Sequence, residues 1–344
     1  MRNSTCLLQP SLATTVALPV IYSFLFTTGS FGNTLAACVF SRLASTRRTQ
    51  HIYLVNLVIA NLLICSAMPF LSAYFANGHQ WTYGSEVCKT AYHFGTTIMH
   101  VCMYVTITIL CTIALSQYAT LKKNNDAQYS QAVKENFYKC VLEKIRQPKF
   151  AKYFCIIIWL IVLCVTVTAI TYDSQARTGQ AFHVCYNMRV EAGEFTAKVA
   201  ASFATACFFL SFITVLLSYY SLNRHLSKIQ KNTCIGQKHL IYRTVKRNML
   251  VIQIILTVCF LPYHIFRPIF YVLLSGEDCS WLNYIVEIKN FLACLAVSRS
   301  SLDPLITLLL DKTFKKSLYS LFRKSTPEHH QRRADIFTEE TPRN

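Results

Sequence analysis

Residues 52–75 read IYLVNLVIANLLICSAMPFLSAYF, and the architecture of the protein depends on this stretch. Its 24 residues contain no Asp, Glu, Lys, Arg or His. A helix of this length crosses the hydrocarbon core of a bilayer, which is about 30 Å thick, and satisfies its own backbone polar groups there. The stretch therefore predicts a membrane-spanning helix.

Six further apolar stretches bring the number of predicted spans to seven. Hydrophobic side chains make up 53% of the 344 residues and charged ones 15%, against about 45–50% and about 25% in soluble domains. This surplus of apolar surface is typical of a protein that faces lipid rather than one with a large soluble core. The six stretches are 18–40, 89–117, 153–172, 199–221, 248–274 and 282–310.

The predicted fold is an all-α membrane protein, a seven-transmembrane helix bundle over residues 18–310. Residues 1–17 are predicted to form an extracellular N-terminus and residues 325–344 a cytoplasmic tail. Between bundle and tail, residues 311–324 are expected to form a short amphipathic helix lying in the membrane interface. Four apolar side chains recur on one side of it, namely Phe314, Leu318, Leu321 and Phe322.

Basic residues indicate which side of the membrane is cytoplasmic. Of the 34 Lys and Arg residues, 26 lie in four segments on one predicted face. Because positively charged loops stay inside, the C-terminus is predicted to be cytoplasmic and the N-terminus extracellular, in the plasma membrane. The net charge of +18 does not indicate a nucleic-acid partner, since these charges lie between apolar stretches. The segments are 41–51, 118–152, 222–247 and 311–344.

The longest basic loop, 118–152, carries eight Lys or Arg residues. A basic segment beside a membrane attracts anionic lipid head groups, at about 1 kcal/mol per charge. Contact with membrane lipids is therefore expected. Docking of a cytoplasmic protein is the alternative interpretation of this loop.

The predicted extracellular face carries a glycosylation triplet and four cysteines. Asn3 begins the triplet Asn3-Ser4-Thr5, an N-glycosylation pattern. An oxidising compartment favours two disulfides, and four cysteines leave three pairings open. Most other cysteines lie in apolar stretches and serve as small hydrophobes, so we expect no metal site and no cofactor. The four cysteines are Cys6, Cys88, Cys185 and Cys279.

Polar residues and prolines recur at characteristic places inside the spans. They are Gly32-Asn33, Asn56-Leu57, Ala60-Asn61-Leu62, Met68-Pro69, Trp81, Gly84, Cys88, Trp159, Cys259-Phe260-Leu261-Pro262-Tyr263-His264, Leu302-Asp303-Pro304-Leu305 and Phe314-Lys315-Lys316. In this order and spacing they resemble the class A (rhodopsin-like) G-protein-coupled receptors across almost the whole chain. The resemblance implies an orphan cell-surface receptor that signals to heterotrimeric G proteins.

Further residues are similar to the nucleotide-receptor (purinergic) branch of that class. They are His264 with Arg267, Lys289, the Asp303 that precedes Pro304, and the presence of both Cys6 and Cys279. This resemblance implies an anionic small-molecule ligand, nucleotide-like or lipid-like. It also implies that the disulfides are Cys88–Cys185 and Cys6–Cys279.

The candidate ligand site combines His264, Arg267 and Lys289. His264 and Arg267 are three residues apart and share a helix face. A cation inside a membrane is expensive unless it faces a cavity or a partner, and Arg binds phosphate or carboxylate bidentately. The alternative is that both cations extend to the outer interface or pair with Glu277 or Glu287. Weaker candidates, which helix packing also explains, are Met99, Met103 and Tyr263.

The centre of the bundle departs from the family. Most relatives have a sodium-binding Asp in the second span, where this chain has Asn61. Arg299 lies four residues before Asp303, so the two are expected to pair and no sodium site is expected. A purely structural buried pair and a conformational switch both remain open. The family's other switch residues are retained as Phe260, Pro262 and Pro304.

The cytoplasmic end of the third span departs further. Ser116-Gln117-Tyr118 occupies the place of the family's acidic residue, Arg and Tyr, so Gln117 lacks the charge that contacts the G protein. Thr307 replaces a family Tyr, and the segment between Cys88 and Gln117 is about one turn longer than usual. These differences favour a second hypothesis, a receptor-like decoy or arrestin-biased protein with weak or no ordinary coupling.

Other function classes are disfavoured. A transporter would have inverted repeats or broken helices at mid-membrane, and neither is visible in the sequence. A retinal pigment needs a Lys in the middle of the seventh span, whereas Lys289 is predicted near the outer end. No nucleophile–base pair or metal motif is present, so we do not expect an enzyme.

Overall fold

A computed structural model describes residues 9–43, 49–78, 91–126, 137–176, 195–230, 236–273, 279–310 and 312–323. All regular structure within these ranges is helical. Seven helices there are long and apolar enough to cross a membrane, which confirms the predicted seven-transmembrane bundle. They cover Ala13–Arg42, Thr49–Ala76, Gly95–Leu121, Pro148–Thr168, Ala201–Arg224, Tyr242–Leu273 and Ser280–Leu308.

The α-helices are numbered here in chain order. They are α1 (Leu18–Leu43), α2 (Thr49–Ala76), α3 (Met99–Asp126), α4 (Phe137–Ile145), α5 (Pro148–Ala176), α6 (Phe195–Gln230), α7 (Gly236–Ile255), α8 (Leu261–Leu273), α9 (Cys279–Leu310) and α10 (Lys312–Arg323). π-Helical turns Ala13–Ala17 and Ala91–Ile98 precede α1 and α3, and Leu256–Phe260 joins α7 to α8.

Several helices extend beyond the apolar stretches that predicted them. The third span was predicted to end at residue 117, whereas α3 continues to Asp126. The sixth was predicted to begin at residue 248, whereas α7 begins at Gly236. Leu, Lys, Gln and Arg favour helix whether or not they lie in lipid. Hydropathy therefore identified the membrane segment but underestimated the length of the helix.

The π-helical turns lie where the α-helical pattern is disturbed. Pro262 has no backbone N–H, so the carbonyl four residues before it loses its usual donor. The turn Leu256–Phe260 lies immediately before this proline. The turn Ala91–Ile98 precedes α3, and its wider winding places more residues in a given rise. The extra length expected between Cys88 and Gln117 stays a prediction, since Cys88 lies outside the described residues.

Two glycines bring α1 against α2 and α9. A Cβ atom built on Gly29 would lie 2.6 Å from the Sγ of Cys65 and 2.7 Å from the Oγ of Ser301. A Cβ atom on Gly32 would lie 3.0 Å from the Cγ of Pro304. This close approach allows polar side chains of the three helices to meet in the bundle centre.

The short helix α4 lies in the segment that the sequence suggested to be a loop. Its last carbonyls have no hydrogen-bond donor within the helix, and two side chains of α2 supply donors instead. Tyr53 donates its hydroxyl to the Ile145 carbonyl at 3.3 Å, and Thr49 donates to the Arg146 carbonyl at 2.6 Å. The Arg146 Nε in turn donates to the hydroxyl of Thr120 in α3 at 3.2 Å. The C-terminal end of α4 is thereby fixed at the predicted cytoplasmic end of the bundle.

Candidate ligand and switch sites

Arg267 of α8 lies among tyrosines. Its Nη1 donates to the hydroxyl of Tyr104 in α3 at 2.7 Å, and its guanidinium carbon is 5.7 Å from the centre of the Tyr263 ring. Tyr271 also lies near the guanidinium of Arg267. We call the set His100, Tyr104, Tyr263, His264 and Arg267 the outer aromatic cluster. His100 and Tyr104 are four residues apart on α3, and Arg267 follows Tyr263 by four residues and His264 by three on α8, so Arg267 shares a helix face with each of them.

Hydrogen bonds to carbonyls assign the tautomers of the two neutral histidines in this cluster. The Nδ1 of His100 is 2.7 Å from the Thr96 carbonyl. A carbonyl only accepts, so Nδ1 carries the proton and the His100 Nε2 accepts the Tyr263 hydroxyl at 3.1 Å. The His264 Nδ1 likewise donates to the Phe260 carbonyl at 2.8 Å. The Nε2 of His264 is therefore a bare acceptor.

That acceptor is buried. The side chain of His264 is 0% exposed, and its ring stacks on Phe208 of α6 with centroids 3.9 Å apart. Its Nε2 has no hydrogen-bond partner among the described residues. A buried acceptor without a donor costs about 1–3 kcal/mol. The site is therefore suited to a group that brings an O–H or N–H.

Lys289 approaches this region from α9. The helix begins at Cys279, so Lys289 lies ten residues, about 15 Å, along it. Its Nζ is 4.7 Å from the centre of the Phe270 ring, a cation–π distance. Glu287, one alternative partner, accepts from the Ser11 amide at 2.7 Å and the Thr14 hydroxyl at 2.9 Å. Glu277, the other, lies outside the described residues.

Met99 and Met103 occupy less informative positions. Both are buried in the main hydrophobic cluster of the bundle, four residues apart on α3. This is the packing environment that the sequence offered as the alternative. A pocket-lining role for either residue stays a prediction.

A second polar group lies in the bundle centre, where Arg299 and Asp303 form the pair expected from their spacing. The Arg299 Nε donates to the Asp303 Oδ1 at 3.1 Å, and its Nη2 forms an ion pair with Oδ2. Arg299 is 1% exposed and Asp303 6%. We call Asn33, Asn61, Arg299, Ser300 and Asp303 the inner polar cluster.

Two asparagines connect this pair to the other helices. The Asn61 Nδ2 in α2 donates to the Asp303 Oδ2 at 2.8 Å and to the Asn33 Oδ1 at 3.1 Å. The Asn33 Nδ2 in α1 donates to the Ser300 carbonyl at 2.8 Å. The Asp303 carboxylate thus joins α2 to α9, and Asn33 joins α1 to both. Among the described residues, the Arg299 Nη1 and the Asn61 Oδ1 have no hydrogen-bond partner.

The remaining switch candidates lie around these two clusters. Phe260 is buried below His264, with ring centroids 6.4 Å apart, and Pro262 follows it at the start of α8. Pro304 packs close to α1 at Gly32. Asn61 and Arg299 both contact Asp303. Phe260 ends the π-helical turn before α8, and Pro262 is the second residue of α8.

The candidate coupling residues lie on α3, more than two turns before its end. The Oε1 of Gln117 is buried and has no hydrogen-bond partner among the described residues. The hydroxyl of Tyr118 lies 3.1 Å from that of Ser221 in α6. Position 117 itself carries no charge. The nearby guanidinium of Arg146 is hydrogen-bonded to Thr120, three residues further along α3.

Some candidates cannot be located. Asn3, Cys6, Cys88 and Cys185 lie outside the described residues, and the side chain of Cys279 is not described. The glycosylation site and both disulfides stay predictions.

The sequence analysis missed His100, Tyr104 and Phe208. Histidine within a membrane span is rare and signals a functional position, so His100 could have been found from the sequence. Tyr104 and Phe208 carry no such signal, because aromatic residues are frequent throughout the spans. Their contacts depend on how α3, α6 and α8 are rotated towards each other.

Comparison with known proteins agrees with this architecture. The model of the "7 transmembrane receptor (rhodopsin family)" matches residues 32–306. The chain is 48% identical over 334 residues to "Probable G-protein coupled receptor 82" of Homo sapiens, covering 96% of this chain and 99% of that protein. It is 30% identical over 326 residues to "Probable G-protein coupled receptor 34" of Pan troglodytes, covering 93% and 79%. The chain therefore belongs to the rhodopsin family of seven-transmembrane receptors, which are multi-pass proteins of the plasma membrane.

Proposed function

We propose that this receptor binds an anionic small molecule at the outer aromatic cluster and signals to a heterotrimeric G protein. The observation that carries the proposal is the environment of Arg267. The contacts described for its guanidinium are to the phenol groups of Tyr104, Tyr263 and Tyr271, and none is a carboxylate. An intramembrane cation pairs with an opposite charge or faces a site where one binds. Phosphate and carboxylate are the anions that a guanidinium holds best.

The groups near Arg267 narrow the chemical class of the ligand. Lys289 supplies a second cation, which favours an anion with several oxygens. The bare Nε2 of His264 favours a ligand that also carries a hydroxyl or N–H. Nucleotides and lysophospholipids combine both features, whereas an unsubstituted fatty acid offers a carboxylate alone. The proposed ligand is therefore an anion with a donor group nearby, nucleotide-like or lipid-like.

Arg267→Gln tests the ligand half of the proposal. Purified receptor is titrated with adenosine diphosphate, a uridine diphosphate sugar, lysophosphatidic acid, lysophosphatidylserine and oleate, with thermal stability as the readout. A probe that stabilises the wild type should bind Arg267→Gln at least about 10-fold more weakly, the loss of one charged hydrogen bond. Arg243→Gln, which removes an exposed arginine from α7, is the matched control and should bind normally. Equal binding by Arg267→Gln would contradict the proposal.

The coupling half is tested without any ligand. A G-protein dissociation panel in cells compares wild type with Gln117→Arg at equal surface expression. Basal signal in the wild type supports a coupled receptor in which Gln117 is tolerated. Signal only in Gln117→Arg supports a competent fold whose coupling is weakened at that position.

A second candidate function rests on Gln117. Its uncharged side chain, with a buried and unpartnered oxygen, favours a receptor-like protein with weak ordinary coupling, either a decoy or an arrestin-biased receptor. Under this alternative the wild type stays silent in the dissociation panel even when a stabilising probe is added. Recruitment of arrestin by a stabilising probe then identifies the arrestin-biased form, and its absence identifies the decoy.

We also propose an extracellular N-terminus that is attached to the start of α9. The Gln9 amide donates to the Asn283 Oδ1 at 3.2 Å, and the Ser11 amide donates to Glu287. These bonds support a disulfide between Cys6 and Cys279, three and four residues from the first pair. Peptide mapping without reduction tests this pair and Cys88–Cys185, and Asn3→Gln should lower the apparent mass if Asn3 is glycosylated.

A further inference from the structure

Asp303 places a carboxylate in the centre of a bundle that crosses a membrane. The side chain is 6% exposed, and an isolated ionised carboxylate is very costly in such a low-dielectric site. Either a proton on the carboxylate or one positive charge beside it must therefore neutralise it. That charge can come from a bound ion or from the protein itself.

The side chains around this carboxylate carry oxygens of the kind that a hard cation takes. The Asn61 Nδ2 donates both to the Asp303 carboxylate and to the Asn33 Oδ1, so polar side chains of three helices meet there. Carboxylate and amide oxygens are the ligands that such cations take in proteins. The Asn61 Oδ1 is buried and has no partner among the described residues, so the cluster contains one acceptor that is not yet satisfied.

The guanidinium of Arg299 reaches the carboxylate first. Its Nε binds one oxygen of Asp303 and its Nη2 the other. We propose that Arg299 is a tethered cation that fills, from within the chain, the position a sodium ion would occupy. The inner polar cluster is then neutral without a bound ion, and the receptor does not respond to sodium. This inference goes beyond the proposed function and holds whatever binds at the outer aromatic cluster.

Charge counting makes the proposal testable. Arg299→Gln removes the tethered cation and leaves one carboxylate. Asn61→Asp keeps the ion pair and adds a second carboxylate. Both leave the cluster one positive charge short, and both should acquire a sodium site. Arg299→Lys keeps the charge, and the double variant Arg299→Gln with Asp303→Asn removes both charges, so neither should acquire one.

The experiment measures the melting temperature of each purified, full-length receptor in NaCl, KCl and choline chloride at equal ionic strength. Wild type and Arg299→Lys should melt at the same temperature in all three salts. Arg299→Gln and Asn61→Asp should gain a saturable rise in sodium alone, of about 2–4 °C. The double variant should lose that rise.

Each outcome of this experiment either supports or overturns the proposal. A sodium-specific rise in the wild type overturns the proposal, and so does the absence of any sodium response from both single variants. With an indifferent wild type, the proposal is supported by a response in Arg299→Gln that the double variant loses, or by a response in Asn61→Asp. If Arg299→Gln does not fold, Asn61→Asp carries the test, because it retains the Arg299–Asp303 pair.

Discussion

The receptor places one arginine in each of two clusters, and the two arginines differ in what surrounds them. Arg299 is fully buried and shares a helix with its carboxylate partner, four residues away. Arg267 is only half-buried, and its described contacts are tyrosines on α3 and α8. The first charge is neutralised within the protein. The second lacks an anion among its described contacts, so the inner polar cluster holds helices together whereas the outer aromatic cluster is suited to bind.

Asp303→Leu should have the largest effect, because it leaves Arg299 buried without its partner. Removing one member of a buried ion pair costs about 3–5 kcal/mol. We expect a receptor that reaches the cell surface poorly and has a greatly lowered melting temperature in detergent.

The matched control is the double variant Asp303→Leu with Arg299→Met. Replacing a buried pair by apolar residues of similar volume is often nearly neutral, so most of the stability should return. If the double variant is as unstable as the single one, the cost lies in the lost hydrogen bond to Asn61 rather than in the unpaired charge.

Gly29→Ala ranks second and tests the close packing that brings the inner cluster together. The added methyl group would lie 2.6 Å from the Cys65 Sγ and 2.7 Å from the Ser301 Oγ, and the Ser301 hydroxyl is already held by the Leu25 carbonyl. Overpacking of this kind costs about 1–3 kcal/mol. Gly95→Ala is the control, since its Cβ would meet Phe70 at an ordinary 3.6 Å. A melting temperature lowered equally in both would indicate a general intolerance of alanine instead.

The two clusters also differ in how much of them the sequence could predict. The Arg299–Asp303 pair follows from a spacing of four on one helix, and Arg267 follows from a charge inside an apolar stretch. The bonds from Asn61 to Asp303 and from Asn33 to the Ser300 carbonyl cross between helices. They depend on helix rotation, which a hydropathy pattern does not contain. The stacking of Phe208 on His264 was missed for the same reason.

Helix ends show a similar division. Apolar stretches located all seven spans, because the cost of burying polar groups in lipid is large. They missed α4 and the ends of α3 and α7, because outside the membrane a helix depends on propensity and capping. At α4 the capping donors are Thr49 and Tyr53, which belong to a different helix.

Tyr104→Phe should have a smaller effect, in the outer aromatic cluster. It removes the hydroxyl that accepts from the Arg267 Nη1 at 2.7 Å. A typical hydrogen bond contributes about 0.5–1.5 kcal/mol, so the melting temperature should fall slightly. Tyr220→Phe, on an exposed tyrosine of α6, should leave it unchanged. A loss as large as that of Asp303→Leu would show that Arg267 is anchored as firmly as Arg299.

Lys289→Met should have the smallest effect on stability, and it tests the contrast most directly. The contact of the Lys289 Nζ with the Phe270 ring is worth about 0.5 kcal/mol at a partly exposed site. A further partner of a partly exposed lysine adds about 0–1 kcal/mol, and methionine preserves most of the apolar contact. The melting temperature of the empty receptor should therefore hardly change, while stabilisation by an anionic probe should weaken. Lys289→Arg, which keeps the charge, should retain the probe effect. A loss of several kcal/mol in Lys289→Met would mean that Lys289 belongs to a buried ion pair. The outer cluster would then be neutralised from within, as the inner one is, and the argument for an anionic ligand would lose one of its two cations.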